Sequence, residues 1–224
     1  MPCLLYKPNN PFHLSMHITT PFKTMKLIIP FTIILILSTL IVTASAATAV
    51  LDTEGKTVRT GVQYYIRPAA RDVAGGLILA SRNGSCPLDV GQARSGADLG
   101  SPLTFSPVNP KAKTVNLATD INIQFEVGTI CVQSTVWRLT GPQEGTGRYY
   151  VTSGGVKGNP GIDTLDNWFK IEEFMGTYYK LSFCPTVCDT CKPLCGDLGI
   201  VIENGQRWLV FSTDRPFPFE FVKA

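Results

Sequence analysis

Short segments that alternate apolar and polar residues recur along the chain from about residue 63 to its end. Residues 121–125 (INIQF) alternate strictly, and residues 217–222 (FPFEFV) end in the same pattern. A period of two puts the apolar side chains on one face of a strand and the polar ones on the other. Aromatic and β-branched runs predict further strands at 63–66, 77–80, 134–139, 149–152, 168–173, 178–183, 200–202 and 208–211.

Turn residues separate these predicted strands. The separators are Gly-Gly at 75–76 and 154–155, Asn-Gly at 83–84 and 204–205, and Asn-Pro-Gly at 159–161. An Asn-Gly pair between two apolar runs favours a tight hairpin, as between Ile202 and Trp208. About a dozen short strands in one chain predict an all-β domain, either a closed barrel or a sandwich. The alternation does not choose between the two.

The region before residue 47 follows a different pattern. Residues 27–42 form an apolar run of about 16 residues, with Lys26 before it and small residues at 44–46 (ASA) after it. A basic flank, a short apolar core and a small-residue exit are typical of a secretory signal peptide. A membrane-spanning helix needs roughly 20 apolar residues, so an anchor is the less favoured alternative.

We therefore interpret 1–24 as an upstream extension, 25–46 as a signal peptide and 47–224 as the mature domain. Whether translation starts at Met1 or Met25 is open. The predicted destination is secretion, to the extracellular space or apoplast or to the vacuole. The mature protein is then expected to have no association with a membrane.

Composition changes once 1–46 is set aside. Three of the twenty basic residues and none of the seventeen acidic ones lie there, so 47–224 carries seventeen of each. Nucleic-acid binding needs clustered Lys and Arg, which the mature part lacks. Both histidines, His13 and His17, also lie in 1–46. Without histidine, a Ser-His-Asp or Cys-His catalytic group cannot form, and a pH switch near neutrality has no titrating group. We expect neither an enzyme nor a cofactor.

Six of the seven cysteines remain after Cys3 is set aside. An even number in an exported chain favours three disulfides, and six cysteines allow 15 pairings. The spacing from Cys184 to Cys195 also fits a zinc site, and Cys188-x-x-Cys191 also fits a redox pair. The oxidising compartment and the Pro- and Asp-containing context favour structural disulfides, so no metal is expected.

Several longer motifs carry a family resemblance. Residues 50–58 (VLDTEGKTV), followed by YYI at 64–66, resemble the N-terminal signature of Kunitz soybean-type protease inhibitors. Further matches to the miraculin-like branch of that family are STVWRL at 134–139, GGVKGNPG at 154–161, WFKIEEF at 168–174, YKL at 179–181, FCPTVC at 183–188 and CGDLGI at 195–200. The resemblance covers essentially all of 47–224.

The resemblance implies a disulfide-stapled β-trefoil, with a six-stranded barrel closed by a cap of hairpins. It implies the pairs Cys86 with Cys131, Cys184 with Cys195, and Cys188 with Cys191. Met175 stands where miraculin-like proteins carry an extra cysteine that links two chains. We therefore expect a monomer or a non-covalent dimer without an interchain disulfide.

The family's inhibitors present a substrate-like loop in an extended shape, and the resemblance puts that loop within 105–113. Counting from Cys86 puts the scissile position at Pro110, in an Asn109-Pro110 context that proteases cut poorly. Counting back from Ile121 puts it at Lys111-Ala112, a trypsin-type site. Lys111 and Lys113 also fit an ordinary solvated loop.

Thr60 occupies the place of an asparagine that braces this loop in the family, and a shorter side chain gives fewer hydrogen bonds. Asn83-Gly84-Ser85 is an N-glycosylation sequon in a predicted turn, which predicts a glycoprotein.

Three functions follow as hypotheses. The first is an inhibitor of secreted or digestive proteases of the serine class, in plant defence. The second is a miraculin-like binding or storage protein with little inhibition, favoured by Asn109-Pro110 and Thr60. The third is a carbohydrate-binding trefoil, which no aromatic triplet at repeat spacing supports.

Overall fold

The chain between Ala47 and Ala224 is built almost entirely of short strands. The computed structural model describes residues 47–212 and 214–224, so the predicted extension and signal peptide lie outside the described residues. Its strands are β1 Tyr64–Pro68, β2 Leu77–Ala80, β3 Asp89–Gln92, β4 Leu103–Pro107, β5 Ile121–Phe125, β6 Arg138–Leu139, β7 Val151–Thr152, β8 Lys170–Phe174, β9 Tyr178–Phe183, β10 Gly196–Glu203, β11 Gln206–Ser212 and β12 Phe219–Lys223. A short 3₁₀ helix, Ile162–Asn167, precedes β8.

Six strands close into a ring. Antiparallel pairing joins β1 to β4, β4 to β5, β8 to β9, β9 to β12 and β12 back to β1. The Ile121–Phe169 bridge, at the start of β5 and just before β8, completes the circuit. A closed ring of strands leaves no unpaired edge, which is how small barrels avoid edge-to-edge aggregation.

Three hairpins cap one end of this barrel. They are β2–β3, β6–β7 and β10–β11. Strand β3 pairs with both β7 and β11, and a Tyr150–Val210 bridge joins the other two hairpins, so the three form a triangle. Four consecutive strands thus repeat three times, outer strands in the barrel and inner strands in the cap. This arrangement is the β-trefoil, so the expected fold class is confirmed.

Aromatic side chains fill the barrel. Phe105, Phe219 and Phe221 are fully buried, and the Phe221 ring meets Phe105 and Phe219 edge to face, with ring centroids 5.3 and 5.1 Å apart. Trp137 packs against Phe125 at 5.4 Å on the other side of the core. Offset and edge-to-face pairs add to the gain from burying these large side chains.

The predicted strands match the structure with two omissions. Strands β3 and β4 were not predicted. The sequence of β3 is Asp-Val-Gly-Gln, which lacks alternation, yet all four residues are buried because β3 lies between β2, β7 and β11. The loop expected at 105–113 also begins later, since Phe105–Pro107 completes β4 and pairs with β5 as far as Ile121. The turn at Asn204-Gly205 has positive φ at both residues, as a tight hairpin requires.

The part of the chain that the structure describes contains no helix long and apolar enough to cross a bilayer. The apolar run at 27–42 lies outside that part.

Candidate inhibitory loop and its surroundings

The β4–β5 connection carries the predicted inhibitory residues at its tip. The Ala112 amide donates to the Asn109 carbonyl at 3.0 Å, which closes a four-residue β-turn. The Lys111 amide also donates to the Asn109 side-chain oxygen at 3.0 Å. Asparagine in the first position and proline in the second are the residues that such turns favour. The tip is therefore a self-bonded turn, and the extended shape expected of it is not what the structure has.

Exposure of the tip is high. Asn109, Pro110 and Lys111 are exposed, Ala112 is half-buried and Lys113 is exposed. Within the described residues, neither lysine side chain makes an ion pair or a hydrogen bond. The Asn-Pro dipeptide is itself a turn signal, so the sequence contained the information for this conformation.

Thr60 contacts the tip from behind. Its hydroxyl donates to the Ala112 carbonyl at 3.0 Å, and its amide donates to the Lys113 carbonyl at 3.1 Å. One side-chain bond therefore reaches the tip from this position. The neighbouring Arg59–Thr114 bridge continues the same contact between the N-terminal segment and the loop.

A hollow of about 510 Å³ lies beside Thr60 and under the tip. Val108 and Pro110 of the connection line it, together with Pro160 and Trp168 from the segment before β8. A larger side chain at position 60 would have room to extend into this space. The loop is therefore less supported from below than its hydrogen bonds alone indicate.

Asn122 helps to position the segment beside the loop, and the sequence pattern predicted the wrong face of the strand for its side chain. Alternation in β5 predicted its side chain on the solvent face, but it is 1% exposed. Its amide nitrogen donates to the Asn167 carbonyl at 2.8 Å, and its oxygen accepts from the Gly158 amide at 2.7 Å. The segment 157–168 covers this face of β5, so Asn122 holds the far wall of the hollow.

The six cysteines of the described chain form three disulfides. Cys86 is bonded to Cys131, Cys184 to Cys195, and Cys188 to Cys191, the pairs that the family resemblance implies. The first closes a span of 45 residues that contains the candidate loop. No described group of three or more His, Cys, Asp or Glu side chains is placed to hold a metal ion.

Comparison with known proteins identifies the family. The sequence model of the legume Kunitz family, described as trypsin and protease inhibitor, matches residues 50–223. The chain belongs to this Kunitz inhibitor family. The family is not enzymatic, so the chain is not an enzyme.

Among relatives, the Kunitz-family chain is 50% identical over 187 residues to miraculin from Synsepalum dulcificum, covering 80% of this chain and 85% of miraculin. It is 39% identical over 185 residues to Kunitz trypsin inhibitor 5 from Arabidopsis thaliana, covering 82% and 90%. Among solved structures, it resembles the complex of porcine pancreatic trypsin with soybean trypsin inhibitor, with 30% identity and a TM-score of 0.63 over 78% of this chain and 98% of that one.

Two further predicted positions lie away from the loop of this Kunitz-family chain. Asn83 is exposed in the β2–β3 connection, where an attached glycan would meet no steric barrier from a buried environment. Met175 is exposed at the β8–β9 turn, with φ of 53°. Glycosylation of Asn83 and the absence of an interchain disulfide remain predictions.

Proposed function

We propose that the mature protein inhibits trypsin-like serine endopeptidases by inserting Lys111 into the specificity pocket. The observation that carries the proposal is an exposed lysine, Lys111, at the tip of the β4–β5 connection of a Kunitz-family barrel, whose side chain has no ion pair or hydrogen bond among the described residues. A trypsin-type pocket has a carboxylate at its base and takes a cation on a long stem. The relatives named as trypsin inhibitors, and the soybean inhibitor in complex with trypsin, support this choice of target.

The register that supports the proposal has Lys111-Ala112 as the scissile bond. Lys111 reaches solvent, whereas Asn109 and Pro110 carry no charge for such a pocket. In the alternative register at Asn109-Pro110, proline after the bond obstructs its attack. Lys113 is the nearest competing cation, and it lies beyond the turn that holds Lys111.

We expect the inhibition to be weak and to decline through cleavage. An enzyme that binds its substrate in an extended form has to break the two hydrogen bonds of the turn, and that ordering cost reduces affinity. Thr60 and the hollow beneath the tip give little resistance to separation of the two halves after cleavage. These same features favour a second candidate function, a binding or storage protein similar to miraculin that has little inhibitory activity.

We further propose that the protein is secreted, to the apoplast or to the vacuole, that Asn83 is glycosylated and that the role is in plant defence. The signal-like pattern at 25–46 and the disulfides support export. Mass spectrometry of the secreted chain tests the processing part. A mature chain that starts near Ala47 agrees with it, and one that retains Met1 contradicts it.

Titration of the mature protein against trypsin, chymotrypsin and papain tests the proposed activity. Inhibition of trypsin alone supports the Lys111 site. Inhibition of chymotrypsin or papain in place of trypsin places the activity on other residues. If none of the three is inhibited, the binding or storage function is the better account.

A further inference from the structure

A second exposed loop joins β5 to β6 and runs over residues 126–137. We call its segment 127–134 (VGTICVQS) the apolar loop, because it contains no charged residue. Ile130 and Val132 are almost fully exposed there, more so than any other large apolar side chain in the part of the chain that the structure describes. Folding buries neither side chain, so any gain from removing them from water has to come from a partner.

The fold holds the apolar loop on both sides of Val132. Immediately before it, Cys131 is buried and bonded to Cys86. Two residues after it, the Ser134 carbonyl accepts from the Gly154 amide at 2.7 Å. A peptide bond between these two anchors is held in place on either side, which reduces the ordering cost of presenting it to an enzyme.

The backbone of the apolar loop is available to pair with a strand of a partner. None of the amides from 127 to 133 donates a hydrogen bond to another described residue. Among the carbonyls of the same stretch, only that of Cys131 accepts one, from the Thr129 hydroxyl at 3.0 Å. Antiparallel pairing uses both backbone groups of every second residue, and those of Ile130 and Val132 are free. The β4–β5 tip, in contrast, is hydrogen-bonded to itself.

We propose that the apolar loop binds a serine endopeptidase with a small apolar specificity pocket, of the elastase type, and that Val132 enters this pocket. Such a pocket takes a short aliphatic side chain, and it excludes a charge that would be buried without a partner. Val132 is smaller than Ile130 and directly follows the residue that the disulfide fixes. The β4–β5 tip carries lysines and suits a different class of pocket.

The apolar loop and the β4–β5 tip belong to opposite ends of β5, because one connection precedes this strand and the other follows it. A strand of five residues spans about 17 Å, which separates the two connections. The site at Val132 therefore does not use Lys111, and it does not depend on inhibition of trypsin.

The test titrates pancreatic elastase with the secreted protein and follows hydrolysis of a chromogenic elastase substrate. Val132→Asp and Ile130→Asp are a matched pair, because each adds one carboxylate at an exposed aliphatic position of the same loop. Lys111→Ala removes the candidate trypsin site. The double variant Lys111→Ala, Val132→Lys is assayed against trypsin.

We expect the parent to inhibit elastase and this inhibition to persist in Lys111→Ala. Val132→Asp should inhibit about 100-fold more weakly, because its charge would enter an apolar pocket without a partner. Ile130→Asp should inhibit less than about fivefold more weakly, since Ile130 stays outside the pocket. The double variant should inhibit trypsin, because the loop then presents a cation on a long stem. Both positions are exposed, so all these variants should fold.

Absence of elastase inhibition by the parent overturns the proposal. Equal losses in Val132→Asp and Ile130→Asp also overturn it, because they indicate an apolar contact without insertion. Loss of elastase inhibition in Lys111→Ala assigns elastase to the β4–β5 tip and contradicts the proposal as well. If the parent instead forms a dimer in sedimentation that Val132→Asp dissociates, and does not inhibit elastase, the partner is a second copy and the proposal is wrong. A parent that inhibits elastase but not trypsin contradicts only the Lys111 site, so the two proposals fail separately.

Discussion

Two connections, β4–β5 and β9–β10, are of similar length but are held in different ways. The β4–β5 connection, residues 108–120, is attached to the N-terminal segment by hydrogen bonds, including those of Thr60. The β9–β10 connection, residues 184–195, is closed by a disulfide at its base and by a second one inside it. Asp120, at the end of the first, accepts from the Thr186 amide of the second at 3.2 Å.

From this difference we expect the β9–β10 connection to serve stability and the β4–β5 connection to serve function. Its two disulfides restrain the β9–β10 connection whatever its side chains contact. This segment therefore has little freedom to adjust its shape to a partner. Hydrogen bonds leave the tip of the β4–β5 connection exposed and adjustable, but they resist opening less. The candidate inhibitory loop is therefore predicted to respond to single side chains, whereas the cysteine-rich connection should respond to reduction.

Removal of the Cys86–Cys131 disulfide should have the largest effect on stability. It closes a span of 45 residues around the candidate loop, for which the chain-entropy model gives about 4 kcal/mol. The double variant Cys86→Ser, Cys131→Ser is compared with the parent by denaturant unfolding under non-reducing conditions. An unchanged midpoint would show that hydrogen bonds alone restrain this span.

Asn122→Leu should lower the free energy of unfolding by about 3 kcal/mol, since the Gly158 amide and the Asn167 carbonyl lose their partner in a buried site. Amide hydrogen exchange should also rise at 157–160. Gln124→Leu is the control in the same strand, because Gln124 is only half-buried. Equal losses in both variants would contradict a special role for Asn122.

Removal of the Cys188–Cys191 disulfide should cost about 2 kcal/mol or less, because the closed loop is short. The variant is Cys188→Ser, Cys191→Ser, measured beside the variant lacking Cys86–Cys131. Trypsin inhibition should be unchanged, because this disulfide belongs to the other connection. A loss of inhibition would show that the β9–β10 connection also contributes to function.

Thr60→Val should cost about 1 kcal/mol, the value of the single hydrogen bond to Ala112. If the protein inhibits trypsin, this variant should be cleaved faster, and Thr60→Asn should inhibit more tightly and for longer. The longer amide has room in the hollow and offers more hydrogen-bonding groups. Faster cleavage of Thr60→Asn than of the parent would contradict the proposed support.

The smallest expected effect is the pH dependence of stability that comes from Asp89 in the cap. Burial raises the folded-state pKa of Asp89 above its ordinary value, against the opposing effect of Arg82 and with a small contribution from Glu203. Between the unfolded and folded pKa values the folded chain binds more protons, so its stability rises as pH falls. From about pH 7 to about pH 4, the parent should gain stability relative to Asp89→Asn in thermal unfolding. A relative loss would show that the Arg82 pair dominates.

Sequence patterns predicted the elements whose residues agree with their local surroundings. Alternating aromatic residues predicted β12, and Asn204-Gly205 predicted the tight β10–β11 hairpin. Strand β3 was missed because its burial comes from three neighbouring strands rather than from its own side chains. Asn122 was misplaced because a later segment folds over the solvent face of β5.

The candidate site was less predictable than the fold. The family resemblance predicted the candidate loop, whose inhibitory role stays a prediction. Its self-bonded turn depends on Asn109 contacting the Lys111 amide, and the hollow depends on segments distant in sequence. The threefold repeat was not visible in the sequence, since it lies in the strand pairing. Such long-range arrangements are set by packing, which a period of two does not encode.

The most direct test of the central claim compares Lys111→Ala with Lys113→Ala against trypsin. Both remove an exposed lysine without an ion pair among the described residues, and they differ only in their place relative to the turn. We expect the parent to inhibit trypsin weakly, Lys111→Ala to abolish inhibition and Lys113→Ala to retain it. If the parent inhibits and Lys111→Ala inhibits equally well, Lys111 is not the inserted residue and the proposed site is wrong.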